Sequence, residues 1–263
     1  IFSFSHAEIR VIFFIGTLLL MVFWETLLPF RTMKTAKWKH RGVNIGIHLI
    51  NSFLVRILFI GIVIGFSAWI DENNWGLLGQ VQWPYSLEFV LMLIGMDLGI
   101  YLQHVAFHYI PFLWRFHKVH HSDIDFDATT GIRFHPGEIL ISLLYKMGLI
   151  VVIGVSPAAI LVFAVILNST SLFNHANVHL PGWLDRILRW WIVTPDMHRI
   201  HHSVISKETN SNFGFNLTWW DRLFKTYRPK PKFSPQTMKI GLTQYQSPSQ
   251  ASLGFLLKLP FQK

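Results

Sequence analysis

Cysteine is absent from this sequence. Its absence excludes disulfides, thiolate zinc sites, iron–sulfur clusters and cysteine nucleophiles together. Charge is scarce as well. Asp, Glu, Lys and Arg make up 14% of the chain, against about 25% in an ordinary soluble domain. With 51% hydrophobic residues, the chain cannot cover its apolar surface with charge, and a bilayer is the expected solvent. No G-x-G-x-x-G or P-loop pattern occurs, so no nucleotide-binding module is visible. No internal repeat, low-complexity tract or linker marks a second domain. The formal net charge of +9 does not form a basic stripe. Lysines and arginines flank apolar runs, which argues for juxtamembrane loops and against nucleic-acid binding.

Long apolar runs are what the chain has in their place. The first extends over about 7–28 and is closed by Pro29. It is too long for a signal peptide and lacks a small-residue cleavage site, so no cleavable leader is expected. The second covers about 43–70, with Trp69, Trp75 and Trp83 as interface aromatics. The third covers about 86–110 and stops at Pro111. A fourth region, 139–174, is broken at Ser156-Pro157 and reads as two helices, either full crossings or a hairpin dipping into the bilayer. The pattern predicts an all-α membrane bundle of about four helical regions, the last a hairpin, under a cytosolic helical cap. The loop 31–41 carries five Lys or Arg residues and the loop 71–84 carries none. The positive-inside rule therefore places the first in the cytosol, together with most of the chain after Pro111. One domain is expected, with anchor helices over 1–84, a catalytic core over 85–228 and an irregular tail over 229–263.

Ten of the fourteen histidines fall in four short motifs. These are His104 and His108 in HVAFH; His117, His120 and His121 in HKVHH; His175 and His179 in HANVH; and His198, His201 and His202 in HRIHH. Residues three or four apart share a helix face, so each motif directs its imidazoles one way. The adjacent histidines of H-x-x-H-H flank the line of the first and reach two metals side by side. Ten nitrogens suit two ions of coordination number five or six and far exceed one tetrahedral zinc. Two such triads arise by chance in roughly one in a thousand chains of this composition, so the set is specific where a lone HANVH would not be. His6 and His40 flank membrane runs and read as interface residues whose loss leaves the metals in place. His48 reads as an interface or packing residue. His135 stays open between a ligand, a support behind the ligands and a substrate-side residue. Asp97, seven residues before His104 on the same face, is the acid best placed to answer the metal charge from behind the ligands; the alternative is interhelical packing. Asp123, Asp125, Asp127, Asp196 and Glu208 also cluster near the motifs. Asp221 and Arg222 in WWDRLF read as a structural ion pair.

These motifs resemble the fatty acid hydroxylase/sterol desaturase superfamily. The resemblance is carried by DLGIYLQHVAFH (97–108), WRFHKVHHSDIDFD (114–127), FHPGEI (134–139), NHANVH (174–179) and HRIHHSVISKETNSNFGFNLTWWDRLFKTY (198–227). It covers about 85–228, while the first two membrane runs match only in being hydrophobic. Many relatives place an arginine after the first histidine, where Val105 stands here. The resemblance implies a membrane anchor, a cytosolic cap and two iron ions held by the ten histidines. It also implies O2 as co-substrate and external electrons, spent on hydroxylating or desaturating a lipid, sterol or related apolar substrate. Iron is part of that implication, since imidazole suits zinc equally and zinc can displace ferrous iron in purified samples.

The motifs themselves do not separate hydroxylase from desaturase. A histidine-bound dimetal hydrolase and a non-catalytic metal-binding membrane protein stay as other classes. The hydrolase is disfavoured because such sites usually include bridging carboxylates. The lack of an encoded electron-transfer module implies a separate carrier protein and reductase. The basic segment 222–232 offers either an acidic partner or anionic lipid a contact.

Overall fold

In the computed structural model, residues 5–59, 62–248 and 252–262 are described. Among them the chain is helical, with no strand beyond two isolated bridges. The helical bundle is built from α1 (His6–Leu27), α2 (Lys37–Phe59), α3 (Ile62–Glu72), α4 (Tyr85–Tyr109), α6 (Pro136–Ile153) and α7 (Pro157–His175). The short helix α5 (Pro111–His121) follows α4. Four of these, α1, α4, α6 and α7, are long and apolar enough to cross a membrane. The broken fourth region, expected as two helices, is α6 and α7, each of crossing length. The run 43–70 folds as α2 and α3, with residues 60 and 61 outside the described part.

Proline sets many of the boundaries. It stands in the first turn of α5, α6 and α7, where its missing N–H costs nothing. Ser156 caps α7 from its hydroxyl. The turn between α6 and α7 needs glycine. Gly154 has φ +83°, and a Cβ there would lie 2.4 Å from the Trp75 carbonyl oxygen; Gly76 (φ +91°) packs its backbone against it in turn. Leu77 and Leu78 donate their amides to Val152 and Ile153, so the 73–84 loop closes over this far end. A core of Ile70, Met92, Met96, Ile150, Val155 and Phe163 fills the bundle behind it. The outward faces of α1 carry Phe13, Leu19, Leu20 and Phe23, all more than half exposed, as a lipid-facing surface requires.

The opposite end holds the histidines. Glu25 at the end of α1 accepts the amides of Ala128 (3.1 Å) and Asn177 (3.0 Å). The 31–41 segment stays at this end, where Asp125 accepts the amides of Lys34 (2.7 Å) and Thr35 (2.9 Å). The cap is made of α8 (Gly182–Leu188), α9 (Pro195–His201), α10 (Ser206–Thr209) and α11 (Trp219–Leu223), with connecting loops. The region after Pro229, expected to be irregular, ends in helix α12 (Leu253–Lys258). Its Leu256 and the following Leu259 bury themselves against Ile47 of α2 and Val119 of α5. Apolar residues three apart in a polar tail carry that signal, and it is too short to read without the surface they cover.

Candidate metal centre

The helix ends bring nine of the ten motif histidines into two buried groups. His104, His108, His117, His121 and His201 form one; His120, His175, His198 and His202 form the other. Within each group the candidate ligand atoms all lie within 4.8 Å of one another. His104 and His108 come from the last turns of α4, His117, His120 and His121 from α5, and His175 from the end of α7. His198 and His201 belong to α9, and His202 caps it. The stacked rings of His121 and His202, 4.5 Å apart, join the two groups.

Hydrogen bonding fixes four of the five rings of the first group. The Nδ1–H of His104 donates to the Phe213 carbonyl (2.8 Å), that of His108 to Asn210 Oδ1 (3.2 Å), that of His117 to Glu138 Oε1 (2.7 Å) and that of His201 to the Ser211 carbonyl (2.8 Å). A proton held at Nδ1 leaves the lone pair on Nε2. The Nε2 atoms of all five rings in this group are buried and have no hydrogen-bond partner. Five converging, desolvated ring nitrogens, at least four of them lone pairs, are costly unless a cation satisfies them. In the second group, His175 donates Nδ1–H to the Ser171 carbonyl (2.7 Å). Its Nε2 then faces Nε2 of His120 at 3.1 Å and Nε2 of His198 at 2.9 Å. A cation bonded at about 2.1 Å to two imidazoles at a right angle separates their nitrogens by roughly 3.0 Å. The donor set therefore fits two metal ions. Burial, followed by the neighbouring imidazoles, holds His120, His121, His198 and His202 well below the usual histidine range. Burial pushes His201 down to about 3. These rings are neutral, as ligation requires.

His179 is not brought into either group. Its Nδ1 lies 2.6 Å from Asp196, its ring stacks on Phe30, and its side chain is 47% exposed. Asp97 touches no histidine ligand. It accepts from Asn216 Nδ2 (2.7 Å), the Leu217 amide (3.2 Å) and the Trp220 indole (2.8 Å). It thereby ties down the loop whose Phe213 carbonyl orients His104. Asp221 makes no ion pair with Arg222. It accepts the amides of Phe213 and Gly214, both at 2.8 Å, while Arg222 lies over Trp190 and Tyr227. His135 caps α6, accepting the Gly137 amide at 3.0 Å. Asp125 and Asp127 bind backbone amides, and Asp196 pairs with Arg199.

Two residues that the motifs did not single out support the site. Glu138, in FHPGEI, is the carboxylate in contact with a histidine of the groups. Its place in the first turn of a proline-started helix is visible in sequence, its contact with His117 is not. His40, read from sequence as an interface residue, is fully buried instead. Its Nε2 lies 2.9 Å from both Asp123 oxygens, and its Nδ1 lies 3.4 Å from Asp127. Burial opposes its charge, but the two carboxylates push it up to about 10. Burial likewise opposes ionisation of Asp123, and the His40 and Arg133 cations outweigh it, holding the carboxyl well below its usual range. Arg41 bridges Asp127 and Glu25. The anchor helices thus brace the 123–130 turn directly after the HKVHH ligands.

The fatty acid hydroxylase family model matches residues 89–226, an interval that contains all ten motif histidines. The chain is 33% identical over 189 residues to the ornithine lipid hydroxylase OlsE of Rhizobium tropici, covering 69% of this chain and 53% of that one. It is 29% identical over 180 residues to the alkylglycerol monooxygenase of Xenopus tropicalis, covering 68% and 39%. To the cholesterol 25-hydroxylase of Rattus norvegicus it is 28% identical over 144 residues, covering 54% and 47%. The chain spans about half the length of these curated relatives or less. No solved structure matches it significantly. The matched interval begins inside α4, ends just after α11 and encloses both histidine groups, so the chain belongs to the fatty acid hydroxylase family.

Proposed function

We propose that this chain is an O2-dependent di-iron oxidoreductase that hydroxylates a C–H bond of a membrane-borne apolar substrate. The observation that carries this reading is the pair of all-histidine groups, the first of which holds five buried, unpaired Nε2 atoms and contributes His104 and His117 to the wall of a cavity. Two iron ions held there would supply the activation of O2 and the oxidation of an unactivated C–H bond. We assign the nine grouped histidines as the ligands and leave His179 outside the set. Glu138 and the carbonyls of Phe213, Ser211 and Ser171 hold protons at Nδ1 and aim the rings.

A cavity of about 170 Å3 reaches His104 and His117. Its wall includes Ile100, Phe107, Phe134 and Phe215. Apolar walls of this kind take up a hydrocarbon chain or ring and exclude water. The relatives named above are hydroxylases and monooxygenases acting on lipids or a sterol, which supports hydroxylation over desaturation. A separate electron carrier is required, and the basic groove that includes Arg186, Arg189, Lys230 and Lys232 suits an acidic one. The 31–41 loop shares an end of the bundle with the histidines. We place that end in the cytosol by the positive-inside rule.

Isotope labelling tests the reading. Turnover of membrane lipid under labelled O2, with added carrier and reductase, should place one labelled oxygen in the product. A double bond without label makes the enzyme a desaturase. Turnover without O2 or reductant refutes both and revives a hydrolase.

A further inference from the structure

The cavity that ends at the histidines carries an unexpected cation. Lys146 of α6 lines it, along with His104, His117 and Asn168. By helix rise, Lys146 lies about 12 Å along α6 from Glu138, the partner of His117, and eight residues before the αL cap at Gly154. It is thus in the middle of a membrane-crossing helix. A second cation, Arg10 of α1, lies near enough for its charge to act on Lys146. Among the described residues, neither makes an ion pair with an acid. Three buried acids of the surrounding helices are committed elsewhere: Glu25 to Arg41, Asp97 to Trp220 and Glu138 to His117. A cation such as Lys146 with no counter-charge in a hydrophobic layer is costly, and an ionisable group at such depth marks a ligand path. A lysine that merely snorkels would point its ammonium along the lipid-facing surface toward an interface. This one borders the cavity.

We propose that the cavity is a slot for an anionic amphiphile. A carboxylate or phosphate of the ligand pairs with Lys146, with Arg10 adding to the field, while the hydrocarbon runs inward past Phe107 and Phe215 to His104 and His117. The inference rests on the reading above that this cavity admits the oxidised lipid, and it adds the chemical class of that lipid. It also gives the lysine a positioning role. A fixed charge at one end and the histidines at the other set how far along the chain oxidation falls.

Direct binding tests this without turnover. The purified full chain in nanodiscs of neutral lipid is titrated with palmitate and its methyl ester, and with phosphatidic acid and the matching diacylglycerol. An ionic hydrogen bond in an apolar site should favour an anionic probe over its neutral partner by about tenfold or more. Lys146→Met should erase that preference and leave the neutral probe unchanged. Lys146→Arg should keep it, and Lys230→Ala, on the surface groove, should not alter it. Selectivity confined to palmitate identifies a free carboxylate as the ligand. Selectivity confined to phosphatidic acid identifies a phosphate headgroup, and selectivity for both assigns a general oxyanion site. Equal affinity of anionic and neutral probes for the unaltered chain overturns the proposal, as does a Lys146→Met variant that retains the preference. Charge-selective binding in a chain that never consumes O2 would refute the hydroxylase reading alone. O2-dependent turnover without charge selectivity would refute this inference alone.

Discussion

Removing the carboxylate behind His117 is a sensitive test of the metal assignment, because Glu138 acts on the site through a single contact. Glu138 Oε1 accepts the His117 Nδ1–H at 2.7 Å, and both side chains are nearly buried. The bond does two things. It keeps the proton on Nδ1, so that the lone pair is on Nε2, and it stops the ring from rotating. Glu138→Ala strands a buried donor, and an ionic hydrogen bond of this kind is worth about 1.5–3 kcal/mol. That energy corresponds to roughly 10- to 150-fold in an equilibrium constant, in line with the 10- to 100-fold usual for supports of this type. Glu138→Gln keeps an acceptor of the same reach but loses the charge, so its effect should be smaller. The assay is metal retention against a chelator series, read by elemental analysis of the purified protein. Melting curves separate loss of metal from loss of fold. The expected order of chelator resistance is unaltered chain, then Glu138→Gln, then Glu138→Ala. Equal resistance in all three would show that His117 is not a ligand, or that its orientation is set without Glu138.

Three further outcomes are expected. His121→Ala and His201→Ala should each lower metal content from two ions per chain and abolish activity, whereas His179→Ala should retain both ions; metal loss in the His179 variant would return that residue to the ligand set. His40 has a folded pKa near 10 against an unfolded value of about 6.5, so its contribution to stability is complete below pH 6.5 and lost as pH rises through 10. His40→Asn should therefore lower the melting temperature at pH 7 and flatten its decline between pH 7 and 10, and an unchanged pH profile would refute the ion-pair argument. Reporter fusions after Lys39 and after Lys230 should report one side of the membrane and a fusion at Gly79 the other; a cytosolic signal at Gly79 would show that the segment 43–110 does not cross and return.

The sequence by itself determined the long apolar helices and offered ten candidate nitrogens, of which the structure groups nine. Proline and apolar run length are local properties: the third run ends before Pro111, and the break at Ser156-Pro157 is where α7 begins. Helical spacing also predicts how most histidines sort. Residues i and i+4 face one way, and the pairs His104/His108, His117/His121 and His198/His202 each share a group. The neighbours His120/His121 and His201/His202 fall into opposite groups, as adjacent positions on a helix must diverge. The same spacing fails for His175 and His179, because the rule holds only while the helix continues. Helix α7 ends at His175, and Ala176 turns extended with ψ 140°, so His179 leaves the face it would have shared. Where a helix stops relative to its neighbours is decided by what it packs against. The same is true of the supports. Asp97 has the right spacing on α4, yet the 216–220 segment folds back and engages both of its oxygens. Glu138 and His40 lie 21 and 83 residues from their partners His117 and Asp123. No local pattern encodes a contact across such a distance; only the closing of α2, α5 and α6 around the 123–138 turn creates it.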